Sequence, residues 1–333
     1  MTDQERNTQI ANYSRDHLSP TTIQRAKVSA RYVELNGFLK GSCFMSGSYA
    51  RFTAVRPPKD LDVIWVCGDE RLTRDPRPIL DALTTSLTEA YRLHATERVK
   101  FDVQDHSITI IFLDDPDDFS IDVVPAAEMP LKNEFGDPIY CVPEIQKLSH
   151  IQRKAFTGAA TWILSDPKGY ITEAQHLEEK TSGRFRKSAK VVKAWRQKHK
   201  KQLGDEFKLK SFHVEQLATC HLQRRPNDTI LQALRAVFAN LNRAIEAPAI
   251  PDRANNEAFI DQYVSNLTPA ERAKILKLQR DAFELVTRLE TAQSREEIGE
   301  LMDALTRVAH QEPALVAPTV VIARPAQPYA AIE

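Results

Sequence analysis

The sequence contains no apolar run long enough to cross a bilayer as a helix, so we expect no transmembrane helix. Its first residues, MTDQERNTQI, are polar and lack the apolar core of a secretory signal. Lys plus Arg and Asp plus Glu balance at 45 each, so the chain lacks the surplus positive charge that a large duplex nucleic-acid interface needs. The balance of charge does not exclude a local basic groove. We expect a cytoplasmic protein.

Cysteine is scarce. The four cysteines lie far apart, with no CxxC pair and none of the Cys/His spacing that is typical of zinc sites. We therefore expect no structural zinc, and we predict buried free thiols in a reducing compartment. These residues are Cys43, Cys67, Cys141 and Cys220.

The residues that are present indicate a two-domain globular protein of α+β class. With 333 residues, 42% of them hydrophobic and 27% charged, the chain can form two cores. The sequence pattern of residues 1–145 predicts helices followed by a strand-rich region. Residues 146–312 predict helices, because apolar residues recur every three or four positions. Residues 313–333 are rich in Pro and Ala and predict an extended tail.

Several segments give sharper predictions. Ser19 and Pro20 are predicted to be the N-cap and the first residue of a helix that stops at Gly37. The runs LDVIWVC, SITIIFL and FSIDVVP are predicted strands, and GDPIYCV a further short one. The predicted helices include residues 143–164, PEIQKLSHIQRKAFTGAATWIL, and residues 255–267, NNEAFIDQYVSNL.

Three acidic residues lie on predicted strands. Asp60 directly precedes LDVIWVC and Asp62 is its second residue, so the two side chains project from the same face. Asp122 lies in FSIDVVP, and if the two strands are neighbours the three carboxylates converge. Clustered carboxylates repel one another unless a cation neutralises them, and Mg²⁺ prefers such ligands. Two ions shared by the acids would activate an attacking hydroxyl and stabilise a leaving pyrophosphate.

A solvated acidic loop is the alternative interpretation, because DxD pairs are common and this chain also carries DDPDD at 114–118. The Gly47-Ser48 turn upstream favours the interpretation of the acids as a metal-binding active site. Glycine lets the backbone approach phosphates closely, and Ser48 with nearby N–H groups can hold an anion. A Gly-Ser turn, then DxD on the next strand and one Asp on a later strand form a specific order.

Two stretches of the helical half carry further candidates. In GRFRKSAKVVKAWRQKHKK, Lys190 and Lys193 belong to a basic stripe that is either a solvated face or a row of cations for triphosphate oxygens. In FKLKSFHVEQL, Ser211 is either an ordinary N-cap or a phosphate contact. Phe212 is either a core residue or a surface on which a base stacks.

Together these motifs resemble a known family. The ordered segments GSYARFT, KDLDVIWV and FSIDVVPA resemble the signature of polymerase-β-type nucleotidyltransferases, and the two helical stretches are similar to motifs of the cGAS/DncV-like enzymes, or CD-NTases. The resemblance implies a polymerase-β-like nucleotidyltransferase core, a mixed sheet with flanking helices. It also implies a helical-bundle C-terminal domain packed on this core, with the active-site cleft between them.

The resemblance also implies roles for single residues. It places two Mg²⁺ ions, or Mn²⁺, on the three acids, and the phosphate turn on Gly47 and Ser48. Donor-nucleotide contacts fall on the helical-domain residues, where Phe212 replaces a frequent tyrosine, so stacking is kept and a hydroxyl contact is lost. The implied catalytic and metal residues are Asp60, Asp62 and Asp122; the implied nucleotide-binding residues are Gly47, Ser48, Lys190, Lys193, Ser211 and Phe212.

The implied activity is synthesis of a cyclic di- or trinucleotide from nucleoside triphosphates, which serve as both donor and acceptor, in the antiphage signalling called CBASS. Transfer of a nucleotide to an RNA 3′ end, a protein or a small molecule is the alternative enzyme. A catalytically dead nucleotide-binding scaffold is disfavoured because all three acids are present.

Partner expectations also follow from the resemblance. The Cys/His zinc insertion of DNA-sensing animal members is absent, so activation by duplex DNA is not expected. A ubiquitin-transfer-like or other operon-encoded regulator is implied as a partner, acting on the C-terminal tail, and no membrane partner is expected.

Overall fold

The computed structural model describes residues 1–39, 41–68, 75–145 and 160–307. Seven strands and ten helices are named in this part of the chain. The strands are β1 Ser42–Ser46, β2 Asp60–Val66, β3 Val99–Val103, β4 Ile108–Phe112, β5 Ser120–Lys132, β6 Pro138–Ile145 and β7 Ala160–Ser165. The helices are α1 Asp3–Tyr13, α2 Thr22–Phe38, α3 Gly47–Ala50, α4 Arg77–His94, α5 Pro167–Lys180, α6 Phe185–Leu203, α7 Ser211–Arg224, α8 Ile230–Ala244, α9 Pro269–Leu289 and α10 Arg295–Thr306.

The strands form one mixed sheet in the order β1-β2-β5-β4-β3, and β6 and β7 extend it from the far part of β5. The pair β2–β5 is parallel, and the other described pairs are antiparallel. A register shift between Glu128 and Lys132 interrupts the pairing of β5 with β6. The predicted fold class, an α+β fold with a mixed sheet and flanking helices, is confirmed.

The sheet packs against α2 and α4. Leu61 and Val63 of β2 and Ile121 and Val123 of β5 are fully buried and form one cluster with apolar residues of the two helices. Because alternate residues of a strand face opposite sides, these apolar residues direct Asp60, Asp62 and Asp122 away from this core.

Helices α6 to α10 share a second core around Trp195, whose indole contacts the rings of Phe207 and Phe238 edge-on. Ile10 and Tyr13 of α1 also pack in this cluster, so the N-terminal helix lies on the C-terminal helices. The domain limits at residues 145 and 312 stay a prediction.

Three local predictions were wrong. Helix α2 begins at Thr22, not at Pro20, because Thr21 and Gln24 form a reciprocal capping box. Residues 160–165 form a strand, because the segment around Trp162 is aromatic and β-branched and pairs with β6. Within 255–267 the structure has a bridge at Phe259 and a short 3₁₀ turn, Gln262–Asn266. Residues 146–159 and the tail, 313–333, lie outside the described residues.

None of the four cysteines forms a disulfide, as predicted, but only Cys67 is buried, whereas the other three are half-buried. Within the described ranges, no helix is both long enough and apolar enough to cross a membrane.

Candidate active site

The acidic residues lie side by side on two paired strands. In the parallel register of β2 and β5, Asp62 is opposite Asp122 and Asp60 is opposite Ser120. Asp60 and Asp62 are two residues apart, so all three acids project from one face of the sheet. The two strands are direct neighbours, which is the condition under which the sequence predicted that the three carboxylates converge.

The surroundings of Asp62 disfavour the ionised form of its carboxyl group. Burial and repulsion from Asp60 and Asp122 raise the pKa of Asp62 to about 7, although Arg51 and Lys193 oppose the shift. Burial also raises the pKa of Asp122, against a hydrogen bond that Thr109 donates to its carboxylate. At Asp62, burial and the repulsion between the carboxylates therefore outweigh the attraction of the nearby cations.

The three carboxylates share a face but not one closed ligand set. Asp60 and Asp62 line the main cleft, whereas Asp122 is bonded to Thr109 and lines a smaller adjoining cavity that shares His106 with the cleft. As placed, no three His, Cys, Asp or Glu side chains of the described chain form a group that could hold a metal ion.

The Gly47-Ser48 turn lies directly beside the acids. It forms the four-residue helix α3 between β1 and β2, and Gly47 has φ +62°, in the left-handed region that favours glycine. Ser46, just before it, pairs with Asp62 across the β1–β2 ladder. Gly47 and Ser48 both line the main cleft.

The main cleft has a volume of about 1470 Å³ and lies between the sheet and the C-terminal helices. On the sheet side are Asp60 and Asp62, the glycine turn and the loop that follows it. On the helical side are basic and aromatic residues. The helical-side residues include Tyr170, Lys193, Arg196, Lys198, Lys200, Lys201, Ser211 and Phe212.

Lys193 lies at the centre of this wall and is buried. Its Nζ donates to Glu215 Oε2 at 2.8 Å and to Thr53 Oγ1 at 3.3 Å. Glu215 also accepts from Arg51, at 2.6 Å from Nε. Burial alone would raise the pKa of Glu215, but Arg51 and Lys193 lower it to about 2, so this carboxylate is ionised.

Ser211 and Phe212 both line the main cleft. Ser211 is the first residue of α7, and the N-cap is Lys210, so Ser211 is not the capping serine that one interpretation predicted. Phe212 is half-buried, lies outside the cores and lines the cleft. Its ring contacts Tyr170 edge-on at 5.1 Å, and the Arg51 guanidinium lies 4.8 Å from its centroid.

Lys190 does not lie at the cleft, contrary to the expectation for it. Its Nζ donates to Ser19 Oγ at 2.8 Å, and the side chain is not among the residues that line the cavity. Burial lowers its pKa to about 8. Residues three apart are neighbours on a helix surface, so the spacing could not distinguish Lys190 from Lys193, whereas the hydrogen bond to Ser19 does.

Four residues of the site were missed: Arg51, Thr53, Tyr170 and Glu215. Two had a usable signal, because Arg51 and Thr53 belong to the GSYARFT segment itself. Glu215 follows Ser211 by four residues and so lies on the same helix face. Tyr170 offered no signal, because its helix α5 begins directly after a strand that was predicted as helix.

Comparisons with known proteins agree with this geometry. No family model matches the chain. The cyclic AMP-AMP-AMP synthase of Acinetobacter sp. (strain ATCC 27244 / 9458) is 26% identical over 188 residues, which are 54% of this chain and 45% of that protein. The chain thus matches less than half the length of this curated relative.

Solved structures cover more of the chain. CdnC of E. coli MS115-1 with ATP has a TM-score of 0.65 at 18% identity and covers 90% of this chain and 97% of its own. Apo DncV of Vibrio cholerae has a TM-score of 0.59 at 18% identity and covers 92% and 80%. The chain has the CD-NTase fold. The resemblance to the cGAS/DncV-like enzymes is confirmed at the level of the fold.

Proposed function

We propose that this chain is a nucleotidyltransferase that joins nucleoside triphosphates into a cyclic oligonucleotide. The observation that carries the proposal is the pairing of Asp62 with Asp122 at the edge of a cleft whose other wall presents Lys193, Ser211 and Phe212. The curated relative is a cyclic-trinucleotide synthase by name, and DncV is named a cyclic AMP-GMP synthase. Both support the proposal.

The donor set fits a divalent cation in its chemistry. Three carboxylates are hard oxygen ligands, and burial together with repulsion from Asp60 and Asp122 raises the pKa of Asp62. Asp60, Asp62 and Asp122 would hold the cation, and Asp122 would exchange its bond with Thr109 for this role. When bound there, Mg²⁺ or Mn²⁺ supplies charge neutralisation for the triphosphate and acidifies a coordinated hydroxyl.

The residues of the chain supply orientation. The donor base stacks on Phe212, while the Gly47-Ser48 turn and Lys193 hold the phosphates, so that the α-phosphate faces the acids. A ribose hydroxyl of the acceptor attacks the α-phosphorus, the bond to the bridging oxygen breaks and pyrophosphate leaves. Asp122 is the carboxylate toward which the hydroxyl proton is drawn. A second transfer within the linear product closes the ring.

The size of the cleft favours two nucleotides rather than one. Sites for single small ligands are typically about 300–1,000 Å³, and this cleft exceeds that range at about 1470 Å³. When one cleft holds both reacting nucleotides, the reaction avoids the entropy cost of a bimolecular encounter between them.

The purified protein incubated with labelled triphosphates and Mg²⁺ tests the proposal. We expect a product that resists phosphatase and whose mass is that of a cyclic di- or trinucleotide. The double variant Asp60→Asn with Asp62→Asn should remain folded and make none. Product formed only after RNA, a protein or another acceptor is added would contradict cyclisation, and unchanged turnover in the double variant would remove the role of the acids.

We also propose that a protein partner regulates the chain. CdnC has been solved in a complex with HORMA, which supports a regulator of this general kind. Conjugation of the C-terminus by a ubiquitin-transfer-like partner concerns residues 313–333, outside the described chain. Deleting those residues should abolish conjugation by a co-expressed partner enzyme, and conjugation that persisted would rule this out.

A further inference from the structure

Glu215 connects two cations at the wall of the cleft. Its Oε1 accepts from Arg51 Nε at 2.6 Å, and its Oε2 accepts from Lys193 Nζ at 2.8 Å and from Arg51 Nη2 at 3.3 Å. The three side chains are 8% (Arg51), 1% (Glu215) and 5% (Lys193) exposed. A carboxylate shared by two buried cations fixes both of them far better than a surface ion pair would.

The cluster also fixes the segment that carries the glycine turn. Arg51 is the C-cap of α3, and its carbonyl oxygen accepts from Arg186 Nε of α6 at 3.1 Å. Two residues on, the Thr53 hydroxyl accepts from Lys193. The end of the Gly47-Ser48 turn is therefore attached to the helical side of the cleft through both the backbone and the side chain of Arg51.

The two cations keep donor capacity that nothing in the described chain uses. Arg51 spends Nε and Nη2 on Glu215, and its Nη1 donates to none of the described residues. Lys193 has three N–H groups, of which Glu215 and Thr53 take two. Two cations share one carboxylate, which leaves one positive charge, and Arg51 and Lys193 line the cleft together with Asp62. The remaining donors suit anionic oxygens.

The position of Arg51 places its unused hydrogen-bond donors close to the proposed nucleotide-binding residues. Its guanidinium lies 4.8 Å from the centroid of the Phe212 ring, and both residues line the cleft with Gly47 and Ser48. Arg51 therefore lies in the same cleft as the residues that we propose bind the nucleotide.

We propose that Arg51 is a further phosphate-binding residue of the cleft and that Glu215 is the positioning residue that holds Arg51 and Lys193 for a nucleoside triphosphate. This inference rests on the proposed function. The competing explanation is that Glu215 only neutralises buried charge. The two explanations predict opposite effects, since removing an anion from a phosphate site that needs no positioning strengthens phosphate binding.

Direct binding in the presence of Mg²⁺ separates the two explanations, with inorganic tripolyphosphate and a non-hydrolysable ATP analogue as probes in calorimetry. In Glu215→Gln, which keeps the shape of the side chain, we expect both probes to bind roughly ten- to hundred-fold more weakly, despite the loss of a negative charge. Arg51→Gln should weaken both probes similarly. The double variant should lose less than the product of the two single losses, because the residues act as a unit.

Glu97→Gln is the matched control. Glu97 also accepts from a buried arginine, Arg31 at 2.7 Å, but neither residue lines the cleft. This variant should bind both probes like the wild type. Unchanged or tighter binding by a folded Glu215→Gln would overturn the inference and leave the proposed function standing. A wild-type protein that bound neither probe would instead overturn the proposed function.

Discussion

A Cβ atom built on Gly47 would lie 1.6 Å from Oδ2 of Asp62, far inside van der Waals contact. Gly47 also has φ +62°, which L-residues with a side chain rarely adopt. The absence of a side chain at this one position is therefore what lets the turn and the acidic strand approach each other so closely.

Gly47→Ala should displace the Asp62 carboxylate and reduce product formation by at least about a hundredfold, because misplacing a reacting group by about 1 Å has an effect of that size. Turnover of labelled triphosphates measures the effect. Gly136→Ala is the matched control, since Gly136 has φ +82° with nothing within 4 Å of its Cβ position. Equal losses in the two variants would mean that backbone strain, not the contact with Asp62, is responsible.

Asp62→Asn should stabilise the cation-free protein by about 1–3 kcal/mol at pH 8. The pKa of Asp62 is raised to about 7, so the native state binds more protons than the unfolded chain between pH 4 and 7, and stability falls as pH rises through that window. The neutral amide removes this loss. Chemical denaturation at pH 8 without divalent cations measures it.

The wild type and Asp62→Asn also test whether a divalent cation binds at the acidic residues. Mg²⁺ should raise the melting temperature of the wild type and have little effect on Asp62→Asn, because binding to the native state alone stabilises it. Asp114→Asn, at an exposed ion pair with Arg98, is the control and should respond like the wild type. A response to Mg²⁺ that is equal in wild type and Asp62→Asn would place the cation elsewhere.

The sequence predicted that Asp60, Asp62 and Asp122 lie on strands because strand patterns follow short-range rules, but it left open whether the two strands are neighbours, since their pairing is long-range. Alternation along a strand puts Asp60 and Asp62 on one side, and the flanking apolar residues bury the other. Glu215 followed no such rule: its partners Arg51 and Lys193 are 164 and 22 residues away, and only the packing of α6 and α7 against the glycine turn joins them.

The errors have the same origin. Trp162 lies in a segment whose apolar spacing fits a helix, yet pairing with β6 makes it a strand, and no local signal carries that pairing. Lys190 matches a basic stripe but faces Ser19 instead of the cleft.

Phe212→Tyr should retain synthesis within about threefold, whereas Phe212→Ala should raise the KM for triphosphate by roughly ten-fold or more. Stacking of a base on an aromatic ring contributes about 1–3 kcal/mol, and a tyrosine keeps that surface. Steady-state kinetics with the preferred donor measures both. Phe135→Ala, an exposed ring on the turn between β5 and β6, is the control and should leave KM unchanged. A Phe212→Ala variant with wild-type KM would show that the base lies elsewhere.

Acid should destabilise the protein between about pH 6.5 and pH 4, in part through His199. Burial against Trp195 and Phe207, with a smaller contribution from Lys198, lowers the pKa of His199 to about 4. The unfolded chain therefore takes up a proton first as the pH falls, and up to about 3 kcal/mol of stability is lost across the window.

His199→Gln should reduce that loss measurably. It should not remove it, because burial also lowers the pKa of His213 to about 4. Denaturant unfolding at pH 7 and at pH 4.5 gives the difference for each protein, so that a general destabilisation by the substitution cancels. His176→Gln, on the exposed side of α5, is the control and should leave the difference unchanged. Identical losses in wild type and His199→Gln would mean that this imidazole accepts its proton without disturbing the core, and that the acid sensitivity arises at other groups.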